Sequence, residues 1–254
     1  MDNPKNRLKQ ALQKKQAQIG LWSTLSSNYT VEVLAGAGFD WIVLDTEHSP
    51  ADLENLLGQL QAIAPYSTTP VVRVPWNDMV NIKRVLDIGA QSLLIPQINT
   101  AEEARNAVSF TRYPPDGMRG VAGATRGTRF GRIKNYFKTA HEELCVILQI
   151  ESREALDNLD AIAAVEGVDG LFIGPADLHA SLGYPGERAR ADVQPIIEKA
   201  IKQILKTGKF AGILTDEAMA QHWLDAGASF VGIGSDVGIL ARGAEAMAAK
   251  FKKS

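Results

Sequence analysis

The sequence predicts a (β/α)8 barrel that spans residues 1–254 as a single domain. Eight short apolar, β-branched runs recur along the chain, and a helical pattern of apolar residues follows each run. The length of 254 residues matches the roughly 250 residues of such a barrel. A doubly wound open sheet is the alternative, but no G-x-G-x-x-G follows the first run to indicate a dinucleotide site. No Ser-, Pro- or charge-rich linker divides the chain.

The first half of the chain supplies four strands, each followed by a helix. A basic helix over 3–16 precedes them. Gly38 and Gly89 each follow a helical pattern, where glycine commonly ends a helix, and Thr100 with Glu103 has the spacing of a capping box. The predicted strands are 18–22, 41–44, 70–74 and 92–96, and the predicted helices are 30–37, 52–63, 78–88 and 100–110.

The second half supplies the other four strands. Two apolar runs within 144–178 end at Glu151 and Asp177, and 152–165 between them has helical spacing behind Ser152, which fits an N-cap. The remaining predicted strands are 210–214 and 230–233, and the remaining predicted helices are 194–205, 216–226 and 239–251. The connections 112–143 and 179–193 are longer than the others, and we expect them to contribute active-site loops.

Composition excludes several classes of partner. A net charge of -2 and a pI near 6.1 give no electrostatic basis for binding nucleic acid or an anionic membrane. The single cysteine, Cys145, forms no internal disulfide and begins an apolar run, which predicts a buried thiol in a reducing compartment. The N-terminus lacks the apolar stretch of a signal peptide, and no segment has the apolar length of a membrane span. We therefore expect a cytoplasmic protein.

Polar residues gather at one end of the predicted strands. In a parallel barrel the chemistry lies at the carboxyl ends of the strands, and the opposite ends carry no comparable cluster here. The residues that follow the apolar runs are Asp45, Thr46, Glu47 and His48; Arg73; Pro96 and Gln97; Gln149 and Glu151; Gly174, Pro175, Ala176 and Asp177; and Gly234, Ser235 and Asp236.

Glu151 and Asp177 close two strands of one β-α-β unit. A crossover of this length makes the strands parallel and near neighbours, so both carboxylates lie over the same face of the barrel. Two carboxylates in that position suit a hard divalent cation such as Mg²⁺ or Mn²⁺. The alternative interpretation is that they are helix caps or surface carboxylates.

Such a metal centre would suit a 2-oxo acid, whose carboxylate and keto oxygen bind a cation together. Arg73 would place a positive charge where an enolate oxygen develops, and losing such a donor typically costs about 3–4 kcal/mol. His48 is the natural proton shuttle because its charge changes near neutral pH. Asp45, three residues earlier, would orient its ring.

Each of these residues also has a structural interpretation. His48 fits a hydrogen-bonded structural histidine, Arg73 fits an ion-pair partner of Glu47, and Gly174 with Pro175 fits a simple turn. The convergence of all of them on one rim favours a functional site.

Lysine placement distinguishes two ways of stabilising an enolate. A Schiff base requires a lysine inside the barrel mouth. Four lysines lie on helical patterns: Lys83, Lys199, Lys202 and Lys206. Lys209 precedes strand seven, at the opposite end of the barrel, and Lys134 and Lys138 fall in the connection 112–143. Metal-assisted enolisation is therefore the preferred chemistry.

Five segments occur in order along the chain: FDWIVLDTEHSP, PVVRVPWND, RYPPDGMRGV, ILQIES and VDGLFIGPADLHASLGYPG. Together they resemble the HpcH/HpaI aldolases, which are metal-dependent class II pyruvate aldolases. The resemblance covers nearly the whole chain. It implies a (β/α)8 barrel whose last helix is exchanged between subunits, a homohexamer, and a divalent cation such as Mg²⁺, Mn²⁺ or Co²⁺.

The resemblance also implies roles for individual residues. His48 matches the general base, Arg73 the transition-state stabiliser, and Asp87 an acid that raises the basicity of the histidine across a subunit boundary. The matches to metal ligands are Glu151 and Asp177, and the matches to substrate contacts are Gln149 and Ala176. We expect Gly174, Pro175 and Asp177, which flank Ala176, to bind substrate as well. Asp87 lies in a predicted helix, where strand-end reasoning does not find it.

The expected reaction is reversible cleavage of a 4-hydroxy-2-oxo acid, such as 4-hydroxy-2-oxoheptanedioate, to pyruvate and an aldehyde. Thr46 and His179 depart from the residues expected in the enzymes that act on heptanedioate, so sugar acids such as 2-keto-3-deoxy-rhamnonate or 5-keto-4-deoxy-glucarate are alternative substrates. His179 is expected in a loop rather than as a third ligand. Two more distant alternatives are a phosphate-binding barrel isomerase that uses GIGSD at 232–236 as an anion nest, and a non-catalytic oligomeric scaffold.

Overall fold

A computed structural model describes residues 1–187 and 190–252 of the chain. Eight strands pair in parallel in chain order, and the last pairs with the first, which closes the sheet into a barrel. The predicted (β/α)8 barrel is therefore confirmed. The strands are β1 (Gln18–Ser23), β2 (Trp41–Asp45), β3 (Thr69–Arg73), β4 (Ser92–Ile95), β5 (Cys145–Ile150), β6 (Gly170–Ile173), β7 (Phe210–Leu214) and β8 (Phe230–Ser235).

Helices alternate with the strands, and most begin at a capping side chain. The helices are α1 (Arg7–Gln13), α2 (Asn28–Ala35), α3 (Leu53–Ile63), α4 (Met79–Asp87), α5 (Ala101–Thr111), α6 (Tyr136–Thr139), α7 (Arg153–Asp157), α8 (Leu159–Ala163), α9 (Pro175–Ser181), α10 (Gln194–Lys206), α11 (Glu217–Asp225) and α12 (Asp236–Ala249). The predicted capping box of Thr100 and Glu103 is present. Across residues 1–187 and 190–252, each helix is too short or too polar to traverse a bilayer.

Three features of the secondary structure differ from prediction. The helix predicted over 152–165 is two short helices, because Asn158 interrupts it and donates its side-chain amide to the carbonyl oxygen of Asn99 at 2.8 Å. The strand predicted to end at Asp177 ends at Ile173, and α9 begins at once. The prediction also missed α6 and the 3-10 turn Ala140–Glu143 that follows it.

The barrel strands separate two apolar layers. Inward side chains from alternate strand positions, among them Trp22, Trp41, Phe172 and Phe230, fill the barrel interior. The other side chains of the same strands pack against the surrounding helices. The interior is therefore a filled core, and polar inward positions remain only near its ends.

Helix α1 closes the amino-terminal end of the barrel. Leu8 and Leu12, one turn apart, are buried among the inward side chains. Asn6 caps the helix and donates to the hydroxyl of Ser92 at 2.9 Å and to the carbonyl oxygen of Glu143 at 3.1 Å. With this end sealed, the carboxyl ends of the strands form the open mouth.

The connection 112–143 lies at the closed end, so the expectation that it forms an active-site loop of its own barrel is wrong. It joins the end of α5 to the start of β5, and barrel helices return the chain to the amino-terminal side. Its backbone hydrogen bonds also place it at the closed end. The N–H of Lys134 donates to the carbonyl oxygen of Met1, and the N–H of Gly127 donates to the carbonyl oxygen of Asp87. The connection 179–193 follows β6 and α9, and its residues 188 and 189 lie outside the described residues.

Candidate active site

A buried ion pair joins the ends of β2 and β3. Asp45 and Arg73 are register partners, and Arg73 donates from Nε and Nη2 to the two carboxylate oxygens at 2.9 and 2.6 Å. Its guanidinium lies 5.2 Å from the centre of the Trp22 ring. Burial works to lower the pKa of Arg73, but the hydrogen bond and charge of Asp45, with the charges of Glu47 and Glu151, raise it above its usual value. Arg73 is thus a fixed positive charge at the mouth.

Glu47 approaches the same arginine from the loop after β2. Its Oε2 lies 2.9 Å from Arg73 Nη1, so the Arg73–Glu47 ion pair considered from the sequence is present. The pair lacks the alignment of a hydrogen bond, and Oε2 is buried without a hydrogen-bond partner among residues 1–187 and 190–252. Burial raises the pKa of Glu47 to about 7 against the charge of Arg73, and the charges of Asp45 and Asp177 contribute to the rise.

His48 lies at the rim beside these groups. Its side chain is 64% exposed, and Nε2 is 3.8 Å from Glu47 Oε1. Asp45 accepts the backbone N–H groups of Glu47 and His48 at 3.0 and 3.3 Å. In this structure Asp45 therefore holds the backbone of His48 and the side chain of Arg73, rather than the imidazole ring as expected. A bidentate, charge-assisted pair with arginine accounts for that choice of partner.

Gln149 and Glu151 form the second part of the site, on the inward side of β5 and just beyond its end. Both are buried. Glu151 accepts the backbone N–H of Gln97 at 2.8 Å through Oε1 and the amide of Gln149 through Oε2. Burial raises the pKa of Glu151 to about 7 against the bond from Gln97, and the charge of Asp177 contributes to the rise. The carbonyl oxygen of the Gln149 side chain is buried and has no partner within the described residues.

Gly174 separates β6 from α9 and lies against Glu151. A Cβ atom at Gly174 would stand 2.3 Å from Glu151 Oε2, so the carboxylate occupies the space that any larger residue requires. Pro175 is the first residue of α9 and Asp177 lies in its first turn. Ala176 is exposed and Asp177 is half-buried. The glycine therefore permits the helix start to approach the buried carboxylate.

The donors present fit a hard divalent cation. The charges of Glu47, Glu151 and Asp177 act on one another, whereas Arg73 is largely neutralised by Asp45. The unpartnered oxygen of Gln149 is another hard donor nearby. No group of three or more His, Cys, Asp or Glu side chains among residues 1–187 and 190–252 is placed to hold a metal ion. Two carboxylates would leave positions for water or a bidentate ligand.

Asp87 does not belong to the mouth of its own barrel. It is the last of the nine residues of α4, so about 13 Å of helix separates it from the mouth side of the barrel. Arg119 donates to its carboxylate at 2.9 Å and lies 4.5 Å from the centre of the Tyr113 ring. A role for Asp87 at a catalytic histidine consequently requires a second subunit.

His179 lies in a helix rather than the expected loop. It is a buried residue of α9, and its Nδ1 is 2.6 Å from the carbonyl oxygen of Pro175. The bond to Pro175 fits a structural role one turn along the helix.

Asp236 ends the GIGSD segment that the phosphate-binding alternative uses as an anion nest, and its side chain is buried. Its carboxylate accepts the backbone N–H groups of Thr24, Leu25 and Val237 at 2.9, 3.1 and 2.7 Å, and the hydroxyl of Ser23 at 2.8 Å. The carboxylate is therefore bound by the end of β1, the two residues that follow it, and the start of α12. This segment joins β8 to the loop after β1.

Sequence reasoning assigned no function to Glu47 and did not find Trp22. Glu47 continues the inward alternation of Val43 and Asp45 by one more step, which is a signal that the side chain faces the mouth. Trp22 alternates inward near the end of β1 in the same way. Counting alternate positions along each strand and one step past its end would have found both residues.

Comparison with known proteins adds an independent observation. The family model described as HpcH/HpaI aldolase/citrate lyase matches residues 18–243. A Rhizobium etli protein named pyruvate aldolase is 54% identical over 252 residues, 99% of each chain. A Salmonella heidelberg protein named 4-hydroxy-2-oxo-heptane-1,7-dioate aldolase is 54% identical over 249 residues, 97% of this chain and 95% of that one.

A solved structure agrees with the sequence matches. The crystal structure of a HpcH/HpaI aldolase/citrate lyase family protein from Burkholderia cenocepacia superposes with a TM-score of 0.94 at 39% identity, covering 98% of this chain and 100% of that one. The similarity therefore extends over the barrel and its mouth rather than over a single motif.

Proposed function

Because the chain belongs to the HpcH/HpaI aldolase/citrate lyase family, we propose that it reversibly cleaves a 4-hydroxy-2-oxo acid to pyruvate and an aldehyde. The chain is an enzyme of the aldolase class. One observation carries the proposal: at a single mouth, a fixed Arg73 and the exposed His48 adjoin the buried Glu151 and its neighbour Gln149.

Two side chains carry the proton and charge changes of cleavage. His48 removes the proton from the 4-hydroxyl group, and its exposure leaves the ring accessible to a substrate in the mouth. As the C3–C4 bond breaks, the aldehyde forms and the electron pair passes to the enolate of pyruvate. Arg73 stabilises the enolate oxygen, and protonation at C3 releases pyruvate. Asp45 keeps Arg73 and the backbone of His48 in place.

The remaining residues of the site bind the 2-oxo acid. Glu151 and Asp177 would hold a divalent cation, Mg²⁺, Mn²⁺ or Co²⁺, which when bound supplies Lewis-acid polarisation of the 2-oxo group. Gln149, Gly174, Pro175 and Ala176 would contact the acid. The first N–H groups of α9 lack acceptors within the helix and suit the substrate carboxylate.

The residues of the site specify the aldehyde part of the substrate less than they specify the 2-oxo acid part. The Salmonella relative supports 4-hydroxy-2-oxoheptanedioate as the substrate. The sugar acids 2-keto-3-deoxy-rhamnonate and 5-keto-4-deoxy-glucarate require the same chemistry at C1 to C4 and are the alternatives. Thr46 stands beside the base, with its hydroxyl bound to the carbonyl oxygen of Arg73 at 2.6 Å. Steady-state kcat/KM values for the three acids would rank them.

We also propose a cytoplasmic homohexamer of single-domain subunits, in which α12 is exchanged between neighbours. Asp236 is the buried residue of this 14-residue helix, whereas Ile239, Leu240 and Met247 are more than half exposed. An exposed apolar helix face of this size favours burial against another chain. In such an assembly Asp87 would reach the His48 of a neighbouring subunit and raise its basicity.

The proposed function is tested by pyruvate release from 4-hydroxy-2-oxoheptanedioate before and after chelation. We expect complete metal removal to abolish activity and added Mg²⁺, Mn²⁺ or Co²⁺ to restore it, because polarisation of the 2-oxo group requires the cation. Activity that survives complete removal would contradict the metal mechanism. Release of no pyruvate from any of the three acids with metal present would contradict the proposed reaction.

A further inference from the structure

We propose that Glu47 is a third carboxylate of the metal centre, and that it acts on the cation through its charge rather than as a direct ligand. This inference rests on the proposed function, since it takes Glu151 and Asp177 to hold a divalent cation. Neither the strand-end pattern nor the family resemblance gives Glu47 a role at the metal centre.

The charges around Arg73 leave Glu47 incompletely neutralised. Asp45 binds Arg73 through both of its oxygens at 2.6 and 2.9 Å, so this pair is close to neutral. Arg73 Nη1 lies 2.9 Å from Glu47 Oε2 but is not aligned to donate a hydrogen bond to it. The guanidinium of Arg73 therefore lies beside two carboxylates but forms its hydrogen bonds with Asp45. The ionised form of Glu47 therefore lacks a full counter-charge, which a cation would supply.

Burial makes that charge costly unless a cation is present. The side chain of Glu47 is only 12% exposed, and its Oε2 is buried without a hydrogen-bond partner in the described part of the chain. A buried carboxylate oxygen left unsatisfied is destabilising. A hydrated divalent cation at Glu151 and Asp177 would supply both a compensating charge and water hydrogen atoms for this oxygen.

The position of Glu47 fits an indirect rather than a direct role. The charge of Asp177 acts on Glu47, and the charge of Glu47 acts on Glu151, so all three lie within electrostatic range. Three side chains are nevertheless not close enough to form a direct coordination group within residues 1–187 and 190–252. Outer groups of this kind commonly change metal affinity about 10- to 100-fold.

The competing interpretation is that Glu47 only positions Arg73 and His48. Both interpretations expect Glu47→Gln to lower turnover, so turnover does not separate them. Metal affinity separates the two interpretations, because a group that only orients catalytic side chains leaves the binding of Mn²⁺ unchanged. Binding is measured by calorimetry on the chelated full-length protein, with Mn²⁺ alone and no substrate.

We expect Glu47→Gln to weaken Mn²⁺ binding about 10-fold or more relative to the unsubstituted protein. Glu47→Asp and Glu47→Asn form a matched pair that differs in charge at nearly constant size, and we expect only the Asn variant to lose affinity. This pair keeps the test valid if Glu47→Gln fails to fold. Glu54→Gln, on the exposed first turn of α3, is the control and should bind Mn²⁺ normally.

Equal Mn²⁺ dissociation constants for the Asp and Asn variants, within two-fold, would overturn the role of Glu47 while leaving the proposed function standing. Absence of Mn²⁺ binding by the unsubstituted protein would overturn the metal centre itself, and this inference with it. Circular dichroism establishes that each variant used in the comparison is folded.

Discussion

Glu151 has surroundings unlike those of an ordinary, solvent-exposed glutamate. It is buried at the end of β5, with one oxygen bound by the backbone of Gln97 and the other by Gln149. Its pKa of about 7 arises from burial first, against the bond from Gln97, and then from the charge of Asp177. In the absence of metal, the folded chain therefore retains a proton that the unfolded chain loses near pH 4.5.

The pH dependence of stability should reveal this carboxylate. Because the folded pKa is raised, the contribution of protonated Glu151 to stability is fully present below about pH 4.5 and is lost as pH rises through about 7. Glu151→Gln removes that loss. In chelator, we expect the free energy of unfolding of the variant, relative to the unsubstituted protein, to increase by about 2–3 kcal/mol between pH 5 and pH 8.

Denaturant unfolding at the two pH values measures this difference. Glu54→Gln, which removes an exposed carboxylate, should show no comparable change. A relative stability of Glu151→Gln that stays constant from pH 5 to pH 8 would contradict the raised pKa. With Mn²⁺ present the sign should reverse, because in the proposed metal centre deprotonated Glu151 would bind the cation and stabilise the folded chain.

The strands and helices were predictable because each has a local signal. Capping side chains such as Thr100, Ser152 and Asp216 begin helices where the pattern indicates, and Phe210–Leu214 has the predicted bounds. The element boundaries that were predicted wrongly depend on contacts between distant parts of the chain. Asn158 breaks a periodic segment by bonding to the neighbouring loop. Helix α9 begins at Pro175, directly after Gly174, where only a glycine leaves room for the Glu151 carboxylate.

Helix α1 gives a test of an element that lies far from the chemistry. Asn6 caps it and bonds to Ser92 and to the backbone of Glu143, at the closed end of the barrel. We expect Asn6→Ala to lower the free energy of unfolding by about 2–4 kcal/mol, since it removes a cap and leaves buried polar groups unpaired. The kcat of the folded enzyme should not change.

Thermal and denaturant unfolding measure the loss of stability, and the pyruvate assay measures kcat. Gln10→Ala, an exposed position on the same helix, is the control and should change neither. A large fall in kcat at full folding in Asn6→Ala would show that the closed end influences the mouth.

The whole molecule carries an exposed apolar helix at its carboxyl end, which leads to a prediction about assembly. We expect light scattering on the purified protein to give six times the chain mass of 27.5 kDa. Ile239→Glu with Leu240→Glu should reduce this mass, because burying two carboxylates in the proposed interface would be costly. Glu245→Gln on the same helix should leave it unchanged, and a monomeric unsubstituted protein would contradict the proposed hexamer.

The sequence by itself determined the barrel, and it placed the candidate site residues at the carboxyl ends of the strands. Alternation of strand and helix is a local, repeated pattern, and strand ends place Asp45, Arg73 and Glu151 at one mouth in any parallel barrel. The tertiary structure alone decided which groups meet. Asp45 binds Arg73 rather than the ring of His48, and Glu47 shares the arginine without a hydrogen bond.

The physical reason is competition among partners. Several carboxylates lie within reach of one guanidinium, and only the packed geometry selects the bidentate pair. The same holds for connection 112–143, which has the length of an active-site loop but lies at the closed end because α5 returns the chain there. The spacing of residues along the chain predicts which side chains can approach the mouth. Their burial and the strand register determine which hydrogen bonds they form.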